Sequence, residues 1–290
     1  MALVASLAAR AGLSASSASW WRARRSSSRP PTPTMAAAGR HAPRRRRVAC
    51  EAGAVRREVL TAEQRSKLAP GDDAAFYAFP RLVTHVDDQF LADLTELYRR
   101  RIPAGGRVLD LQSSWVSHLP PEVQYGEVVG HGMNAEELAR NTRLARFFVR
   151  DLNKEPVLPS LESCCPDASF DAVLSCCSVQ YLQQPEAVFA EIFRVLKPGG
   201  VCIVSFSNRM FYEKAIAAWR DGTGYSRASL VSQYFNAVEG FTEPEVVQEV
   251  AAEEGREPTP LDMMQRLFQR SANDPFYAVI AYRNFKREEA

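Results

Sequence analysis

A strand, a loop, a helix and a second strand follow one another from residue 170 to residue 208. FDAVLSCC (170–177) is a short apolar strand. VFAEIFRVL (188–196) sets Val188, Phe189, Ile192, Phe193, Val195 and Leu196 on a helical period, and VCIVSFSN (201–208) is a second apolar strand. Lys197-Pro198-Gly199-Gly200 between the last two stops the helix and turns the chain. A strand with an unbroken apolar run suits a position buried on both faces, as parallel strands require. Strands alternating with helices therefore predict an α/β fold, a parallel sheet covered on both sides. In such sheets ligands bind beyond the carboxyl ends of the strands.

The same logic extends upstream. RVLDL (107–111) follows the turn-prone Pro103-Ala104-Gly105-Gly106 and ends its strand at Asp110, with a short helix expected in the stretch after it. YGEVVGHGMNAEEL (125–138) reads as a second strand ending near Gly130, with Asn134 as helix cap and Glu137 three residues on, the capping-box spacing. LARFFVRDLN (144–153) is a third strand ending near Asp151. Before the sheet, DDQFLADLTELYRR (87–100) carries a helical stripe of Phe90, Leu91, Leu94, Leu97 and Tyr98, with acids at its front and arginines at its end. AVRREVLTAEQRSKL (54–68) is read as a short helix. GDDAAFYAFPRLVTHV (71–86) is either a flap near a ligand or a lead into the core. After residue 208, RMFYEKAIAAWR, SRASLVSQYFNAV and LDMMQRLFQR are expected helices. EPEVVQEVAAEEGREP offers an edge strand and DPFYAVIAYRN the last strand.

Charge divides the chain of 290 residues. Residues 1–50 contain ten Arg, no Lys and no acid, which leaves 26 basic and 34 acidic residues in 51–290, a net of −8. An acidic body does not read as a nucleic-acid binder. The Arg- and Ser-rich, acid-free head has the composition of an organelle transit peptide. Its Ser, Thr and Pro content and uncharged first nine residues favour the chloroplast over the mitochondrion; the competing reading is a disordered basic tail. No apolar run is long enough to span a bilayer. The expected organisation is a transit peptide at 1–50, an N-terminal extension at 51–84, one domain at 85–284 with a lid insertion at about 210–270, and a tail at 285–290. Six cysteines lack the CxxC spacing of a zinc site, so no metal is expected. Cys176 and Cys177 fall at a strand end as packing residues, and Cys164-Cys165 in an expected surface loop are the redox-sensitive candidates.

VLDL (108–111), RDLN (150–153), FDAVLSCCSVQYL (170–182) and FRVLKPGGVCIVSFS (193–207) together resemble the class I S-adenosylmethionine-dependent methyltransferases, more narrowly the methyltransferase type 11 group. The resemblance covers about 85–284 and is strongest in its second half. It implies a three-layer, doubly wound, Rossmann-like sheet of seven mostly parallel strands with the last strand, 275–283, antiparallel. It also implies S-adenosylmethionine as cofactor; with no long basic surface to suggest RNA, the expected acceptor is an unidentified small molecule.

Residue by residue, the acid that closes the family's first strand falls on Asp110, next to Leu111. The glycine positions that follow are held by Gln112, Ser114 and Val116. The position of the family's ribose-binding acid is Gly132, followed by Met133. The third-strand acid near the adenine is Asp151, followed by Leu152, and the segment lying along the cofactor begins at Cys176. Ser113 and Ser114 are expected to offer hydroxyls and amides to the cofactor carboxylate, and helix-start N–H groups to support them. Tyr181, Asn208 and Arg209 face the expected substrate mouth. His131 and His118 are candidate bases, and Trp115 belongs either to the core or to the cover of the pocket. Methyl transfer needs alignment more than acid–base help, so the lack of a triad or metal cluster is compatible with catalysis. The glycine-poor first motif leaves two functional readings, a plastid methyltransferase and a catalytically inactive protein of the same fold used for binding or assembly. Another nucleotide is disfavoured because no GxGxxG follows the first strand.

Overall fold

The structure is a computed structural model describing residues 53–160, 164–248 and 274–284. Seven strands form one sheet: β1 (Arg107–Leu111), β2 (Glu127–Gly132), β3 (Arg146–Val149), β4 (Phe170–Cys176), β5 (Leu196–Phe206), β6 (Glu245–Val247) and β7 (Tyr277–Tyr282). Their order is β3-β2-β1-β4-β5-β7-β6. The pairs from β3 to β5 are all parallel, and β7 runs antiparallel to both β5 and β6. The mostly parallel seven-stranded sheet with an antiparallel last strand is therefore as expected.

Alternation along the strands sends side chains into two separate cores. On one face α2 (Asp88–Arg101) packs Phe90, Leu94, Leu97 and Tyr98 against Val108, Leu174, Ile203 and Ile280. On the other, α4 (Pro185–Val195) and α6 (Gly224–Asn236) pack Phe189, Ile192, Tyr234 and Phe235 against Leu109, Val173, Val204 and Val279. The helix starts are set locally. Asp87 accepts the Phe90 amide (2.8 Å) at α2, Pro185 opens α4, and the Thr223 hydroxyl accepts the Ser226 amide (3.2 Å) at α6.

Several boundaries differ from the sequence reading. Residues 54–68 are not a helix. The Glu186 side chain accepts the Val59 and Leu60 amides and pairs with Arg65, so the segment is strapped across the start of α4. Among the described residues, the only helix before α2 is α1, the single turn Asp73–Phe76. No helix follows β1, because Gln112 and His118 take positive φ of 58° and 45°. Lys197–Gly200 does turn the chain, but as a bulge inside β5: the Gly199 amide (φ 82°) donates to Arg283 O and the Arg283 amide to Gly200 O.

The helix expected over 209–220 is reduced to α5 (Ala217–Arg220), with turns before it. Of the lid expected at about 210–270, the described part divides. Met210 and Phe211 reach the cavity described below, whereas Trp219, Val231 and Phe235 are core residues. Residues 249–270, including the LDMMQRLFQR stretch expected to be helical, lie outside the described residues, as do the head at 1–50 and the tail at 285–290. Cys164 and Cys165 are buried rather than on a surface loop, and burial pushes the Cys165 thiol up to about 12.

Candidate cofactor and acceptor site

A cavity of about 480 Å³ opens at the carboxyl ends of β1, β2 and β4, where a doubly wound sheet places its ligands. Asp110, Ser113, Ser114, Gly132, Met133, Asp151, Leu152 and Cys176 line it, together with Tyr181 and Arg209. Two expected residues do not. Leu111 points the other way on its strand and is 1% exposed in the core, and Asn208 is exposed outside the cavity. The far wall comes from residues 73–86, led by Asp73, Tyr77, Arg81 and His85, so this segment is the flap and not merely a lead into the core. Trp115 belongs to the cover: it lines the cavity and its indole N–H donates to the flap carbonyl of Val83 (3.2 Å).

The loop after β1 takes its shape from side chains far along the chain. Gln112 is in the left-handed region; its amide donates to His131 Nδ1 (3.1 Å) and its side-chain amide to Ser178 O (3.2 Å). The Ser113 amide donates to His131 O (2.6 Å), its hydroxyl to Asp110 (2.6 Å), and the Ser114 hydroxyl to Glu137 (2.7 Å). Asn141 holds the next turn through Ser114 O (3.1 Å) and Ser117 Oγ (2.7 Å). The expectation that both Ser113 and Ser114 offer free donors to a ligand is therefore corrected. Both hydroxyls and the Ser113 amide are committed within the protein.

Gly132 acquires a reason in this geometry. A Cβ there would lie 2.5 Å from the Ser113 carbonyl oxygen, so an acidic side chain cannot be added without moving the loop backbone. His131 is not a free base. Nε2–H donates to Arg150 O (2.9 Å) while Nδ1 accepts from Gln112, which fixes the neutral tautomer, and burial pushes its pKa down to about 4. Burial also pushes His118 down to about 4.

Asn134 caps α3 (Ala135–Arg140) as expected, accepting the Glu136 and Glu137 amides at 2.9 and 3.1 Å. The reciprocal half of a capping box is not made. Glu137 instead accepts the Arg81 amide (2.6 Å) and the Ser114 hydroxyl, and so joins α3, the flap and the loop after β1.

Asp110 carries the sharpest electrostatic signal. Burial pushes its carboxyl up to about 6, and the hydroxyls of Ser113 and Ser117 offset only part of that. Asp151, by contrast, closes a local turn by accepting the Asn153 amide (2.9 Å). Asp73 behind the flap is buried too. Its burial is more than offset by Lys67 (2.6 Å) and Lys214 (3.0 Å), which hold it below the usual carboxylate range. The Tyr181 hydroxyl accepts the Phe211 amide (2.9 Å), and burial pushes it up to about 12. Arg209 pairs with the buried Asp274 (2.7 Å) at the rim.

The sequence reading missed Glu137 as a linker, Arg81, Phe211, and Asn153, which ties Asp73 to the Tyr181 and Gln183 backbones. The aromatic and turn residues of 71–86 were the one available signal for the flap. Among the described residues no group of three or more His, Cys, Asp or Glu is placed to hold a metal, and no helix is long and apolar enough to cross a membrane.

Comparison with known proteins finds relatives of this chain. The family model described as "Methyltransferase domain" matches residues 125–204. A phosphatidylethanolamine N-methyltransferase of Cereibacter sphaeroides is 32% identical over 148 residues, which span 46% of this chain and 71% of that protein. Among solved structures, an S-adenosylmethionine-dependent methyltransferase from Mesorhizobium loti aligns with a TM-score of 0.41 at 18% identity, over 65% of this chain and 96% of its own. The Haemonchus contortus phosphoethanolamine N-methyltransferase 2, in complex with S-adenosyl-L-methionine, aligns at 0.42 and 18%, over 68% and 53%. With a curated relative matched over most of its length and a sheet in the order 3-2-1-4-5-7-6, the chain belongs to the class I S-adenosylmethionine-dependent methyltransferase family, whose cofactor is S-adenosylmethionine.

Proposed function

We propose that the protein transfers a methyl group from S-adenosylmethionine to a small-molecule acceptor in the plastid. The observation that carries this reading is Asp110: a buried carboxylate at the end of β1, facing the cavity, with hydroxyls but, among the described residues, no cation beside it. A buried charge is costly until paired, and S-adenosylmethionine brings both an ammonium and a sulfonium. Asp110 and Asp151 supply acceptors, and Met133, Leu152 and Cys176 supply softer walls for a ring. The cavity volume lies within the range of small-molecule sites, roughly 300–1,000 Å³.

The cofactor brings a methyl group already activated for transfer. The chain's own task is alignment and exclusion of water, for which the flap, Trp115 and the Tyr181–Phe211 pair close the acceptor side. Neither His131 nor His118 is a base in this reading, so the acceptor arrives deprotonated or loses its proton to solvent or to His85, the third histidine lining the cavity. An amine is the first acceptor class to assay, because the matched Cereibacter relative is named as an N-methyltransferase.

Calorimetric titration of the full chain with S-adenosylhomocysteine tests the reading. Micromolar binding that weakens at least tenfold in Asp110→Ala supports it. A folded protein that binds nothing at millimolar ligand sinks it. The second reading, a non-catalytic binding or assembly factor, is favoured by the committed Ser113 donors and the closed Gly132 position; it predicts that null titration. The plastid assignment rests on residues 1–50, and a fluorescent fusion of that segment that stays in the cytosol removes it.

A further inference from the structure

The flap carries a cation with an unused face. Arg81 is sandwiched among aromatic rings, its guanidinium carbon 4.5 Å from the centroid of Phe76, 5.3 Å from Phe211 and 5.8 Å from Tyr77. One N–H edge is used: Nη2 donates to Phe76 O (3.0 Å). Nη1 is buried and has no hydrogen-bond partner, and no carboxylate pairs with the guanidinium among the described residues. Glu137 is close, but its oxygens take the Arg81 backbone amide and the Ser114 hydroxyl. A buried donor without a partner is a standing cost that a ligand acceptor removes.

The surroundings add to the demand for an anion. Behind the Phe76 ring, Lys67 and Lys214 are both buried and share the single carboxylate of Asp73, with the Lys214 ammonium 5.1 Å from the Phe76 centroid. That leaves one buried positive charge in excess beside the flap. A planar guanidinium held flat by ring stacking presents its N–H fork along one edge, the geometry suited to a carboxylate or phosphate.

We propose that Arg81 is an anion-binding residue, taking a carboxylate or phosphate oxygen of a molecule seated in the cavity. The assignment rests on the methyltransferase reading of that cavity. Two sources share this chemistry, the amino-acid carboxylate of S-adenosylmethionine and an anionic group on the acceptor.

The test is calorimetric, on the full chain and on Arg81→Met and Arg81→Lys. The probes are S-adenosylhomocysteine, 5′-methylthioadenosine (the nucleoside thioether without the amino-acid tail) and inorganic phosphate, the last with and without S-adenosylhomocysteine. If the tail is the source, R81M weakens S-adenosylhomocysteine at least tenfold and leaves methylthioadenosine unchanged. If the acceptor is the source, both nucleosides bind R81M as wild type, and the saturable phosphate binding of the loaded wild type is lost. R81K, which keeps the charge but not the fork, falls between in either case, and it decides the matter if R81M does not fold. Identical isotherms for all probes in folded variants overturn the proposal, as does a wild type that binds no phosphate and shows no preference for S-adenosylhomocysteine over methylthioadenosine. A wild type that binds neither nucleoside yet binds phosphate through Arg81 removes the methyltransferase reading and leaves the anion site standing.

Discussion

The β4–α4–β5 unit and the loop after β1 border the same cavity and are held in different ways. The first is shaped by burial. Val173, Val204 and Phe189 sit in one continuous apolar layer, and almost any set of residues with that pattern and volume would occupy it. The second is shaped by particular hydrogen bonds: His131 to Gln112 and Ser113, Asp110 to Ser113, Glu137 to Ser114, Asn141 to Ser117. Where the family pattern expects glycine to let the backbone turn close to a ligand, this chain uses side chains to hold a non-glycine residue at φ 58°. Bulk packing tolerates change in composition and punishes loss of volume. A hydrogen-bonded loop does the opposite.

The largest test of that contrast is Phe189→Ala. Phe189 is 1% exposed and packs edge-on to Phe235 (centroids 4.8 Å apart), so truncation should cost about 3–5 kcal/mol in urea denaturation. Ligand affinity of the remaining folded protein should be unchanged, because nothing at the cavity moves. A large affinity loss instead would mean that the two regions are not separable.

Gly132→Asp comes next and acts on the other region. It supplies the acid that the family pattern expects at the ribose, yet its Cβ meets the Ser113 carbonyl at 2.5 Å. The expected outcome is a loss of about 2–3 kcal/mol in stability with no gain in S-adenosylhomocysteine affinity. A stable variant with tighter binding would show that the loop is held less firmly than its hydrogen bonds imply.

The smallest expected effect, and the one of opposite sign, is at Asp110. Its folded pKa stands above its unfolded one, so between about pH 4 and pH 6 the folded state holds the extra proton, and stability falls as pH rises through that window. The rise from 3.8 to about 6 sets a ceiling of roughly 3 kcal/mol on this penalty at neutral pH. Asp110→Asn should therefore stabilise the ligand-free protein by on the order of 2 kcal/mol at pH 7.5. The gain should shrink towards pH 4, while S-adenosylhomocysteine affinity drops. Denaturation curves at pH 4.5 and 7.5 check it; a pH-independent difference would place the effect in packing rather than charge.

The contrast also explains what could be read without coordinates. Apolar runs and periodicity located β1, β4, α2, α4 and the last strand to within three residues, because burial writes itself into local pattern. Strand-end logic placed Asp110, Asp151 and Cys176 on the cavity, while Leu111 went to the core because adjacent strand residues face opposite sides. What escaped was everything decided across sequence distance. The 54–68 segment has helical propensity, but Glu186 captures its amides. Ser113 and Ser114 look like free donors until His131, Asp110 and Glu137 are brought beside them. Arg81 belongs to a stretch whose aromatics have no period, and only the fold sets Phe211 against it.

Gln112 has a consequence in the order of assembly. Its amide is held by a residue 19 positions on, and its side chain and carbonyl by residues 63 and 66 positions on. The entropic cost of bringing such ends together grows only logarithmically with the length of chain between them, but it must be met before the bonds return anything. β1 reaches these partners only once β2 has come to one side of it and β4 to the other, since those strands carry them in. The binding loop thus records the closure of the sheet: a chain whose middle strands have not yet come together has no pocket to offer.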